Sequence, residues 1–64
     1  MKITKTYNNP NNGGKEKVIR DGDSFYIASD WGKGFCNPVQ ISREKILITL
    51  QYTQAPLSVM SILN

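Results

Sequence analysis

No charged side chain occurs in the nineteen residues from Ile46 to Asn64, whereas every acidic and basic residue lies between Lys2 and Lys45. A small domain builds its core where apolar residues are dense, and Ile46-Leu47-Ile48-Thr49-Leu50-Gln51-Tyr52 is the densest such segment. Two templates compete for it. At strand spacing Ile46, Ile48, Leu50 and Tyr52 fill one face, and the β-branched Ile46, Ile48, Thr49 and Thr53 agree with that reading. At helical spacing Ile46, Leu47 and Leu50 cluster, while Ile48 and Tyr52 fall on a different side. The cleaner count predicts a strand over 46–52. One helical turn precedes it at Ser42–Lys45, where the Ser42 hydroxyl can accept from an early backbone N–H. A helix over 43–51 is the alternative.

A chain of 64 residues makes a single domain, 1–64, that buries only about 60% of the surface its unfolded form exposes. Such domains compensate with disulfides, a metal or a partner. The single cysteine, Cys36, excludes an internal disulfide, and a chain without histidine is a poor zinc ligand. No cofactor is expected. Efficient packing or association is left, with a protein partner or in a homo-oligomer.

The net charge of +3 is unevenly spread. Residues 1–20 carry Lys2, Lys5, Lys15, Lys17 and Arg20 against Glu16; residues 21–64 carry Lys33, Arg43 and Lys45 against Asp21, Asp23, Asp30 and Glu44. A basic first third is able to meet phosphates, so nucleic acid is a possible partner. The first residues lack the apolar run of a signal peptide and the lone thiol fits a reducing compartment, so a cytoplasmic location is expected. Polar residues from Thr49 to Ser61 interrupt the uncharged C-terminus, and no membrane association is expected.

Along the chain, Lys2–Tyr7 alternates as a half-buried strand and gives way to a flexible Asn/Gly-rich loop, 8–16. Lys17-Val18-Ile19-Arg20 and Ser24-Phe25-Tyr26-Ile27-Ala28 flank Asp21-Gly22-Asp23, a hairpin signal. Phe25-Tyr26-Ile27 is apolar on both faces, as in a central strand covered from two sides. Pro38–Ile41 reads as a further strand, with Pro38 at its start. Pro56 opens a short last helix within the uncharged tail, 54–64. Its Leu57, Met60, Ile62 and Leu63 close the sheet or pack on another molecule. The fold class that follows is mainly β: a small, bent antiparallel sheet or SH3-like barrel of about five short strands with a short C-terminal helix. The alternative is α+β with the helix at 43–51.

Enzyme chemistry is disfavoured by what the chain lacks. Without histidine there is no imidazole acid or base, and Cys36 has no evident activating base, so it reads as a buried or half-buried structural thiol. Asp21 and Asp23, separated by glycine, are turn residues first. Gly32-Lys33-Gly34 is too short for a phosphate-cradling loop. No small-molecule substrate is expected. The better site is the turn in which Trp31 and Phe35 bracket Gly32-Lys33-Gly34, an apolar platform with a cation at its tip. Aromatic side chains of this kind anchor protein interfaces, or stack bases while Lys33, Arg20 or Lys17 meets phosphates. The competing use of Trp31 is to cover a core short of apolar groups.

Val39-Gln40-Ile41-Ser42-Arg43-Glu44-Lys45-Ile46 is similar to the strand-to-helix junction of the carbon storage regulator family of RNA-binding dimers, matching at Val39, Arg43, Glu44 and Ile46. The N-terminal strand departs from that family in lacking its arginine pair. The resemblance implies Arg43 as an RNA contact and a strand-swapped dimer. The sequence therefore favours a non-catalytic binding protein, a regulator, inhibitor or accessory subunit acting through protein contacts. A small basic nucleic-acid-binding module is the alternative. Its candidate residues are Trp31, Lys33, Phe35, Arg20, Lys17 and Arg43.

Overall fold

A computed structural model describes residues 1–64. Three seven-residue strands, β1 (Lys2–Asn8), β2 (Lys15–Asp21) and β3 (Ser24–Asp30), are followed by the short β4 (Val39–Ile41). Helix α1 (Arg43–Tyr52), helix α2 (Leu57–Met60) and a 3₁₀ turn (Ser61–Leu63) complete the chain. The strands form one open antiparallel sheet in sequence order, β1-β2-β3-β4. The protein is mainly β, an open sheet with a short C-terminal helical layer.

The register sorts the side chains into two faces. Opposed residues share a face, giving the rows Tyr7–Glu16–Ser29, Lys5–Val18–Ile27–Val39 and Ile3–Arg20–Phe25–Ile41 beneath the helices. Tyr7, Val18 and Phe25 from these rows meet Ile46, Leu50, Val59, Ile62 and Leu63 in one core. The other face carries Thr6–Lys17–Ala28 and Thr4–Ile19–Tyr26–Gln40 and has no helix over it. Between β2 and β3 the loop is Gly22–Asp23, with Gly22 at φ +62°, as a tight hairpin turn requires. Asn8, Lys15 and Glu16, expected in the loop, pair within the strands, and the connection is Asn9–Gly14. Asn9 and Gly14 close it by an N–H···O bond of 2.8 Å.

The segment expected to be a fifth strand is helical, which overturns the strand reading of 46–52 and leaves four strands. Two causes combine. The Ser42 hydroxyl accepts from the Lys45 N–H at 3.2 Å, capping α1 as expected. A single sheet must also cover one apolar face, and a helix presenting Ile46 and Leu50 one turn apart does so where another strand would only widen the sheet. Both side chains are fully buried. The hydroxyls of Thr49 and Thr53 are satisfied inside the helix by the Lys45 and Thr49 carbonyls at 2.9 and 2.7 Å. Pro56 is the cap residue of α2, one position before its first turn. Within the tail Val59, Ile62 and Leu63 close the sheet, while Leu57 stays outside.

Candidate interaction surface

The Trp31 turn is held by the Asp30 side chain. Asp30, the last residue of β3, accepts at Oδ1 from the N–H groups of Gly32 and Gly34, at 2.8 and 3.0 Å. Gly32 and Gly34 take φ of +115° and +94°, so the glycines around Lys33 are demanded by the turn. Trp31 is 73% exposed, which overturns its use as a cover for the core. It lines an open depression with Asn12, Gly13, Gly14, Lys15 and Asp30. Phe35 does not extend this patch. It pairs with Asp30 and lies half-buried on the open sheet side, with the Lys17 ammonium 4.2 Å from its ring centroid. Lys33 stands exposed at the tip.

Arg20 and Arg43 belong elsewhere. Arg20 projects from β2 on the helical side, where Nη1 donates to the Ile62 carbonyl at 3.0 Å and to the Asn64 carbonyl, and Nε donates to Gly22 at 3.0 Å. Its guanidinium also sits 5.3 Å from the Phe25 ring centroid. Arg43 Nη1 donates to the Leu63 carbonyl at 2.6 Å. These carbonyls end a helical segment and lack intrahelical partners, which is why cations gather there. Both arginines therefore clamp the C-terminus, away from the Trp31 turn. The expected grouping of six residues separates into a Trp31–Lys33 turn, a Lys17–Phe35 pair and an arginine clamp.

The helical layer joins part of the tail expected to pack on another molecule to apolar residues of α1 that were expected in the core. Leu47, Ile48, Tyr52 and Leu57 are 38%, 64%, 75% and 85% exposed. Ile48 and Tyr52 are one turn apart on the side of α1 that turns away from Ile46 and Leu50. On one flank Leu47 and Leu57 line a groove with Met60 and Leu63, bounded by Arg43. On the other, a second groove runs between α1 and β4, lined by Ile27, Val39, Ile41 and Lys45. The sequence did hold a signal for this surface: the apolar residues that spoil the helical template are those left outside the core.

At the loop end of the sheet the core turns polar. The Tyr7 hydroxyl and Thr53 Oγ1 are 2.7 Å apart, and buried Glu16 accepts from Asn9 Nδ2 at 3.1 Å and from Ser29 Oγ at 2.6 Å. Burial pushes the Tyr7 phenol above its ordinary pKa of 10.0; the Thr53 hydrogen bond opposes this and nearby Glu16 adds to it. Cys36 is exposed rather than buried, its sulfur 3.5 Å from the Ser29 N–H. No group of three or more potential metal ligands is brought together, and no helix is long and apolar enough to cross a membrane. Comparison with protein-family models, with curated proteins and with solved structures finds no match.

Proposed function

We propose that this chain is a non-catalytic binding protein, a small regulator, inhibitor or accessory subunit, whose contact with a protein partner is made on the outer face of α1 and α2. The observation that carries this reading is the exposure of Ile48, Tyr52 and Leu57 beside a groove floored by Met60 and Leu63. Fully burying an aliphatic side chain of this size stabilises by roughly 1.5–3 kcal/mol, so a partner covering three of them gains substantially. Tyrosine adds area at low conformational cost and a hydroxyl for orientation. Beyond the first turn of α1, the residues from Ile46 onward carry no charge for a phosphate to meet. Of the cations the sequence reading assigned to nucleic acid, Arg20 and Arg43 are occupied by C-terminal carbonyls.

The test is capture of partners from the protein's own cell with wild type and with a Tyr52→Ala/Leu57→Ala variant, with and without nuclease. Both positions are exposed, so the variant is expected to keep its circular dichroism spectrum. The reading expects a captured protein that survives nuclease and is lost with the variant. Capture abolished by nuclease and indifferent to the variant would refute it in favour of nucleic-acid binding.

A further inference from the structure

We propose that the free edge of β1 takes up an extended, acidic segment of another protein as an added antiparallel strand. The site is separate from the face of α1 and α2 and stands or falls without it.

Backbone geometry supplies the first argument. The β1–β2 register is bracketed by bonds between opposed residues, Gly22 N–H to the Met1 carbonyl at 3.4 Å and Asn9 N–H to the Gly14 carbonyl at 2.8 Å. Hydrogen-bonded pairs alternate along an antiparallel ladder, so Ile3, Lys5 and Tyr7 direct their backbone groups to β2. The N–H and C=O groups of Lys2, Thr4, Thr6 and Asn8 then point the other way, where the sheet has no further strand. No turn or cap bond uses them. Edges of this kind are ordinarily blunted by brevity, proline, a bulge or a cover. Strand β4 is blunted, with three residues behind Pro38. Strand β1 runs for seven residues in unbroken register, contains no proline, and is exposed at Lys2, Thr4, Thr6 and Asn8. A row of unpaired donors and acceptors at strand spacing fits an extended backbone.

Charge selects the donor. Lys2 and Lys5 are the charged residues of β1, and no acidic residue occurs before Glu16. Lys2 stands opposite Asp21, but Lys5 stands opposite Val18. The diagonal neighbours of Lys5 on β2 are Glu16, whose carboxylate is taken by Asn9 and Ser29, and Arg20, of its own sign. A strand bonded to Thr4 and Thr6 sets its intervening residue opposite Lys5 in a non-hydrogen-bonded pair, with Cα atoms about 4.5 Å apart. A glutamate or aspartate there supplies the counter-charge that Lys5 lacks, and an aliphatic residue two positions along meets the exposed Ile3. A second copy of this chain fits poorly, because the register that pairs β1 with itself over its full length sets Lys5 against Lys5.

The probe is the peptide Val-Thr-Glu-Thr-Val, blocked at both ends, beside its counterpart with lysine at the centre. Amide hydrogen exchange of the whole chain is followed as peptide is added to about 1 mM. The N–H groups of Thr4 and Thr6 should exchange fast in the free protein and be protected by the glutamate peptide. The lysine peptide should bind about fivefold more weakly. The glutamate peptide N-methylated at its threonines loses the donors that face β1 and should not bind. Thr6→Pro removes an outward N–H, spares the bonds to β2, and should keep the far-ultraviolet spectrum while losing protection at Thr4. Lys5→Glu should invert the preference between the two peptides, and Tyr52→Ala/Leu57→Ala should bind as wild type does. Thr4 and Thr6 left unprotected, equal binding of the two peptides, or undiminished binding after N-methylation overturns the proposal. Protection that arises without peptide, as protein concentration and mass rise together, assigns the edge to a second copy and overturns it too.

Discussion

Glu16 is the one charged side chain among the buried residues, and its carboxylate ties the Asn9 turn to β3 through Asn9 and Ser29. Glu16→Ala leaves both partners unsatisfied and is expected to cost about 2–3 kcal/mol in a urea titration, with Glu16→Gln costing less because its amide still offers an acceptor. Gly14 is constrained by proximity: a Cβ there would stand 2.5 Å from the Asp30 carbonyl oxygen, a backbone atom. Gly14→Ala is therefore expected to lower stability by about 1–3 kcal/mol, read as a shift of the denaturation midpoint. Tyr7 sets an alkaline limit. Its folded pKa is raised above the unfolded value of 10.0, so the folded state holds the proton more tightly. The resulting stability is complete below pH 10 and is lost as pH rises through the folded pKa. Tyr7→Phe should flatten that alkaline decline in denaturation midpoints measured across pH 9–11, about one unit either side of the ordinary tyrosine pKa; an unchanged decline would place its cause elsewhere.

For α1, the strand and helix templates agree on Ile46 and Leu50 and part at Ile48. In the helix Ile46 and Leu50 are fully buried and Ile48 is not. Ile46→Ala and Leu50→Ala are each expected to cost about 2–5 kcal/mol, and Ile48→Ala no more than about 0.5 kcal/mol in the isolated monomer. A strand would make all three equally costly. The hairpin at Gly22, the strand at 2–7 and the Ser42 cap were legible because turn chemistry, alternation and capping are local. The state of 46–52 was not, because periodicity there serves two surfaces at once. Ile48 and Tyr52 answer to the outside of the molecule, and counting them as core residues turned the balance toward a strand. The arginines were misread for a related reason. Arg20 and Arg43 find their carbonyl partners at residues 62–64, far along the sequence, and no spacing rule connects them.

At the scale of the whole molecule, binding and stability are linked. A partner that binds only the folded chain raises its thermal midpoint, and it should stop doing so in Tyr52→Ala/Leu57→Ala. Salt adds a second readout. A contact made chiefly by apolar groups should hold as ionic strength rises, whereas phosphate binding weakens steeply over the same range. A salt titration of partner capture, run beside one of nucleic-acid retention, separates the two.

The arginine clamp also bears on what a local opening of the fold would expose. Ile62 and Leu63 belong to the core, and the carbonyls of residues 62–64 are the ones held by Arg20 and Arg43. Release of this turn uncovers the apolar groups around Val18 and Phe25 on a sheet whose outer strands, β1 and β4, each keep an unpaired edge. Two guanidinium groups therefore guard the sheet against pairing with its neighbours as well as holding its cover in place.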